Sequence, residues 1–118
     1  MRRGGRGALL LAAAWLAAGT PAAGHWVEPE EVVARLADPA NRAAFGVLGA
    51  ERDPRLSRLL VVRVGARWQA LDPALRKEAA EEWHHLWRDA THAGVLAITD
   101  AEGRSLVSFD AHGRAQLR

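Results

Sequence analysis

The stretch Pro73–His92, PALRKEAAEEWHHLWRDATH, decides the fold. Its apolar residues, Leu75, Ala79, Trp83, Leu86, Trp87 and Ala90, recur at offsets of three and four. That period puts both tryptophans on one face of an amphipathic helix and nearly all of the charge on the other. Asp72 is placed to cap the helix, Pro73 to begin it, and Gly94 is the expected C-terminal stop. Such a helix must bury its Trp-bearing face against something, and the flanking sequence provides strands for it.

Arg58–Val64 (RLLVVRV) is a β-branched, nearly continuous apolar run. It reads as a strand covered on both faces, or as one with Arg63 at its rim. After the helix come Val95–Thr99 (VLAIT) and Ser105–Phe109 (SLVSF). Asp100-Ala101-Glu102-Gly103-Arg104 separates them, and the same Asp-Ala-x-Gly-Arg pattern returns at Asp110–Arg114. In each copy Asp can accept from the turn's own amides while Gly takes the positive φ of a short hairpin loop. Two such turns predict a meander with a last strand over 115–117. Calcium loops need oxygen donors at alternate positions, and each of these loops ends on an arginine instead.

Upstream, His25–Ala37 predicts a short helix opening at Pro29, with Glu28, Glu30 and Glu31 complementing the helix dipole. Asp38-Pro39 predicts a restart. Residues 40–50 (ANRAAFGVLGA) are compatible with a helix to Phe45 or a strand over Phe45–Leu48, and two glycines weaken either. The pieces add up to an α+β domain: a small, mainly antiparallel sheet of three to four strands, with one long amphipathic helix packed on a face and short N-terminal helices. Trp83 and Trp87 are expected to lie on the sheet beside Val62, Ile98 and Val107.

The N-terminus reads as a secretory signal over residues 1–24, followed by a single domain over 25–118. Arg2, Arg3 and Arg6 form a basic segment, Gly7–Ala18 an apolar one, and small residues follow to Gly24. The apolar run is shorter than the roughly 18 to 20 residues needed to span a bilayer, so no stable membrane anchor is expected after cleavage. Cleavage after Gly24, Ala23 or Gly19 fits the pattern, and the expected location is periplasmic or secreted.

Charge excludes one class of partner. Three of the 16 basic residues lie in the leader, leaving thirteen against 14 acidic ones, so the mature chain is close to neutral despite a strongly basic whole-chain balance. No basic stripe remains to recruit nucleic acid. The chain has no cysteine, which removes disulfides, thiol chemistry and thiolate metal sites.

The five histidines are the candidate metal ligands. Cleavage after Gly24 would free His25, whose α-amino group and imidazole can chelate Cu(II). Such a chelate resembles the histidine brace of copper-dependent polysaccharide monooxygenases and related copper carriers, a resemblance carried by that one residue. On the main helix, Glu81, His85 and Asp89 are four apart and His92 follows three later, so they share a face. His85 and His92 stand about 10.5 Å apart at the helical rise, too far for one zinc ion. No serine sits in a nucleophile elbow and no glycine pattern matches a phosphate cradle, so catalysis is not expected and no cofactor is implied. The leading expectation is a non-catalytic accessory domain that binds a protein partner or forms a homodimer. Trp26 and the Arg67-Trp68 pair are its contact candidates, because tryptophan beside arginine is a common interface composition.

Overall fold

The structure, a computed structural model, describes residues 27–117. The leader, His25 and Trp26 lie outside the described residues. Among the described residues four helices and five strands follow one another: α1 (Pro29–Leu36), α2 (Pro39–Phe45), β1 (Val47–Arg52), β2 (Leu59–Val64), α3 (Ala66–Ala70), α4 (Pro73–Ala90), β3 (Val95–Thr99), β4 (Ser105–Phe109) and β5 (Ala115–Leu117). The strands form one sheet in the order β1-β2-β3-β4-β5. The β2–β3 pair is parallel, with Leu60 opposite Leu96 and Val62 opposite Ile98, and the other three pairs are antiparallel. The class is thus α+β with a five-stranded mixed sheet and several helices, one strand more than the three to four expected.

The extra strand comes from the ambiguous segment, and Gly46 explains why that segment read both ways. Asp38 caps α2 by accepting from the Ala40 amide at 2.8 Å. The helix then stops at Gly46, which takes φ 77°. Its amide returns to the Arg42 carbonyl at 3.0 Å, and its carbonyl accepts from Gly65 at 3.0 Å. A Cβ here would stand 2.7 Å from both the Trp68 amide nitrogen and the Arg67 Cβ, so the chain can turn at this point only without a side chain. The helix to Phe45 is therefore found, and the strand runs over Val47–Arg52 rather than Phe45–Leu48, with Gly46 dividing the two.

The main helix ends differently from the sequence expectation. Asp72 accepts from the Ala74 amide at 2.9 Å, as a cap should. At the other end α4 closes at Ala90, and the left-handed residue is Ala93, at φ 56°. Gly94 is needed for packing instead, since a Cβ there would come within 2.8 Å of Trp87 Cδ1. Arg76 holds the start of α4 to the preceding helix, donating to the Gln69 carbonyl at 3.0 Å and the Leu71 carbonyl at 3.2 Å.

The two repeated turns are built alike. Asp100 Oδ1 accepts from the Glu102 and Arg104 amides, both at 2.9 Å, and Gly103 sits at φ 88°. Asp110 Oδ1 accepts from His112 at 2.9 Å and Arg114 at 3.0 Å, with Gly113 at φ 87°. In both, the closing arginine folds back onto the aspartate, at 2.8 Å and 3.1 Å. The amides of Arg104 and Arg114 are the first cause holding the two aspartates below the usual carboxylate range.

All four helices share one core. Val32 and Leu36 of α1, Phe45 of α2, Trp68 of α3, and Ala79, Ala80, Trp83 and Trp87 of α4 are buried with Leu60, Val62, Val64, Leu96, Ile98 and Phe109 of the sheet. Trp83 is the hub: Phe45 meets it edge-on at 5.8 Å between ring centres, and Trp68 lies over it at 5.3 Å. Trp87 is completely buried, donates Nε1–H to the Arg58 carbonyl at 2.8 Å and carries the Arg52 guanidinium at 5.7 Å from its ring centre. The layer order is helices, then sheet.

Candidate functional site

Because every helix packs into that one core, the other face of the sheet has no helical cover among the described residues. Strand parity shows which side chains it presents. In β2, Leu60, Val62 and Val64 are buried, while Leu59 and Val61 are half-buried and Arg63 is exposed. In β3, Leu96 and Ile98 are buried and Val95 and Ala97 half-buried. The β2–β3 register puts Leu59 beside Val95 and Val61 beside Ala97, so the two central strands carry a four-residue apolar square. The long apolar run of β2, read as a strand covered on both faces or rimmed by Arg63, belongs to an interior strand covered on one face.

Charged residues flank this square. Glu51 of β1 stands opposite Val61, and Gly49 stands opposite Arg63. Arg63 lies flat along the face: a Cβ on Gly49 would be 3.5 Å from its Nη2. Glu51 and Arg63 occupy diagonal positions on neighbouring strands, about 7–8 Å apart at the backbone. Neither makes an ion pair or side-chain hydrogen bond with another described residue. On β4, Ser108 adjoins Ala97, and Gln116 of β5 stands opposite Ser108 at the far edge.

The contact candidates named from sequence separate. Trp68 is only 2% exposed and stacks in the core, so it is withdrawn from any partner, while Arg67 beside it is exposed. The reason is local: Gly65 and Gly46 approach each other closely enough for α3 to turn Trp68 inward onto Trp83. Trp26 lies outside the described residues.

The metal candidates separate too. His85 Nε2 is 3.5 Å from Asp89 Oδ2, an exposed pair on α4, whereas His92 lies beyond the helix end and joins no group with them. Among the described residues no three His, Asp or Glu side chains come together in a metal-binding arrangement. His25 is outside them. A shallow depression of about 580 Å³ runs along α4 from Asp72 to Glu81, and the Lys77–Glu81 ion pair, at 3.0 Å, occupies its rim.

Among the described residues His84 is the one buried histidine. Its Nε2 lies 3.0 Å from the Gly94 carbonyl, and its ring stacks on Phe109 at 5.0 Å. Burial is the main cause that keeps its pKa below the ordinary histidine value, and Arg88 adds to the effect. The neutral imidazole therefore donates Nε2–H to Gly94, tying the C-terminal half of α4 to the start of β3. That is a structural task, and sequence periodicity had placed attention on its neighbour His85.

Comparison with protein-family models, curated proteins and solved structures finds no match for this chain.

Proposed function

We propose that this chain is a small, non-catalytic interaction domain that acts after export, in the periplasm or outside the cell, and engages a protein partner through the helix-free face of its sheet. The observation that carries the reading is the apolar square of Leu59, Val61, Val95 and Ala97, which occupies the two central strands and has no helix over it among the described residues. A sheet with one dry face ordinarily turns a polar face to water, alternating apolar and polar side chains along each strand. Here β2 and β3 carry aliphatic side chains on both sides until Arg63 and Thr99, at a cost in solubility that a structural role alone does not require.

The arrangement suits binding better than chemistry. Its charged members, Glu51 and Arg63, stand on neighbouring strands beside aliphatic side chains, on a sheet face with no helix over it among the described residues. The most telling test is a photo-crosslinking side chain at Val61, compared with one at Lys77 on the opposite layer. In cells exporting the chain, the Val61 probe is expected to yield a discrete adduct and the Lys77 probe none. Equal yields at the two positions, or none at either, would remove the sheet face as the working surface.

A further inference from the structure

We infer that the occupant of the helix-free sheet face is a second copy of this chain, packed face to face about a two-fold axis that pairs Glu51 of each copy with Arg63 of the other. The inference rests on the interaction reading above and goes further by naming the partner and its register.

Symmetry favours a second copy as the partner. An isologous contact needs a surface that is its own complement, so that residue i meets j while j meets i. Among the described residues the face carries one acid and one base without an ion-pair partner, diagonal to each other across β1 and β2. A two-fold axis lying in the plane of the interface exchanges them if it bisects their separation at a right angle. On the paired register, with about 4.8 Å between strands and about 3.3 Å per residue, that line runs across the sheet rather than along it. It crosses β2 next to Val61 and β3 next to Ala97, placing the middle of the apolar square on the axis. The same rotation lays Val95 over Ser108, so no charge is set against an apolar side chain at the centre.

Two further features agree with this geometry. The axis lies steeply to the strands, so the strands of the two sheets cross toward the orthogonal class of sheet packing. Residues on the axis meet their own equivalents and must be small and uncharged; Val61 and Ala97 satisfy this, and an arginine or glutamate at either position would not. Arg63 also lies flat over Gly49, which has no side chain to lift it, so its guanidinium stays within the plane where the other copy's Glu51 arrives.

Area sets the strength. Four strands by five residues make a face of about 19 by 17 Å, roughly 300 Å² on each copy. That is below the roughly 800 Å² per partner of a standard interface, so the dimer belongs to the weak, reversible class. Association in the micromolar range or weaker follows, and it weakens as salt screens the two ion pairs.

The test is sedimentation of the chain expressed from residue 1, over a concentration series, with circular dichroism confirming that each variant folds. The wild type is expected to show a reversible monomer–dimer equilibrium. Glu51→Arg sets Arg against Arg, and Arg63→Glu sets Glu against Glu, so each variant alone should weaken association about tenfold or more. Mixed together, they should associate as well as the wild type, because every Arg then faces a Glu. A strictly monomeric wild type, or a mixture that fails to recover, overturns the inference. If the wild type is monomeric while the Val61 probe captures a different protein, self-association fails and the interaction reading stands. If the wild type dimerises and Ala97→Arg leaves the dimer intact, this face is not the dimer contact and the inference falls; the interaction reading falls with it only if the Val61 probe also yields no adduct.

Discussion

Replacing Trp87 with phenylalanine should be among the most damaging single changes available in this chain. The indole is completely buried and makes three separable interactions. Its Nε1–H donates to the Arg58 carbonyl at 2.8 Å, but that oxygen also accepts from the Val95 amide at 2.8 Å. The carbonyl therefore keeps a partner when the indole is lost, and the missing bond costs about 1 kcal/mol rather than the larger penalty of a stranded acceptor. Phenylalanine also leaves the space of the second ring unfilled beneath Gly94, worth about 1–2 kcal/mol as lost transfer energy plus cavity. The Arg52 guanidinium, half-exposed at the ring face, loses a further half kcal/mol or so. The total is about 3 kcal/mol. For a domain of this size it should lower the midpoint of thermal unfolding by roughly 12–24 °C. Urea unfolding followed by circular dichroism reads the same loss as a shift in midpoint at unchanged slope. His85→Ala, on the exposed side of the same helix, is the control and should stay within about 0.5 kcal/mol of the parent. A Trp87→Phe protein as stable as that control would refute the claim that this side chain seats α4 on the sheet.

Three further outcomes follow from named contacts. Gly46→Ala should cost about 2 kcal/mol or more in the same unfolding assay, since the residue combines φ 77° with 2.7 Å approaches to Trp68 and Arg67. Stability should fall in two stages on acidification, followed as unfolding midpoint against pH. His84 has a folded pKa below its unfolded one, so the stability it contributes is complete above about pH 6.5 and declines as the pH drops below that value. Asp53, Asp100 and Asp110, also lower when folded, contribute above the ordinary carboxylate range and lose that contribution as pH falls below about 4. His84→Gln should flatten the first stage alone. Zinc at tenfold excess should leave the melting temperature unchanged, because the described His and carboxylate side chains assemble no three-ligand group; a rise would indicate a site among them or at His25.

Local chemistry made much of this fold legible. The 3.6-residue period located α4, the proline and aspartate pairs located the starts of α2 and α4, and the repeated Asp-Ala-x-Gly-Arg turns located the meander. Each of these signals is complete within a few residues. The fifth strand was hidden because Gly49, Glu51 and Arg52 dilute its apolar character and Gly46 sits at its boundary. Its strand identity comes from pairing with β2, which is a long-range property. The candidate surface was illegible for a related reason. In Arg58–Val64 the inward and outward side chains are almost all aliphatic, so alternation could not reveal that one side carries no helix among the described residues; only Arg63 marked it. Glu51 and Arg63 became neighbours only through the register fixed by the Asp53 turn, where the Arg55 and Leu56 amides both bond the aspartate at 2.8 Å. Trp68 misled in the opposite direction. Tryptophan next to arginine in a connecting segment predicts exposure, and the short helix α3 turns it inward instead.

The most direct test of the sheet face uses the absence of cysteine from the sequence. Ala97→Cys places a unique thiol at the centre of the apolar square, and its rate of labelling by a small membrane-permeant thiol reagent reports whether the face is covered. Rapid labelling is expected in the purified chain at high dilution, and several-fold protection both in the producing cell and at high protein concentration. A labelling rate that is the same under all three conditions would contradict a partner on this face.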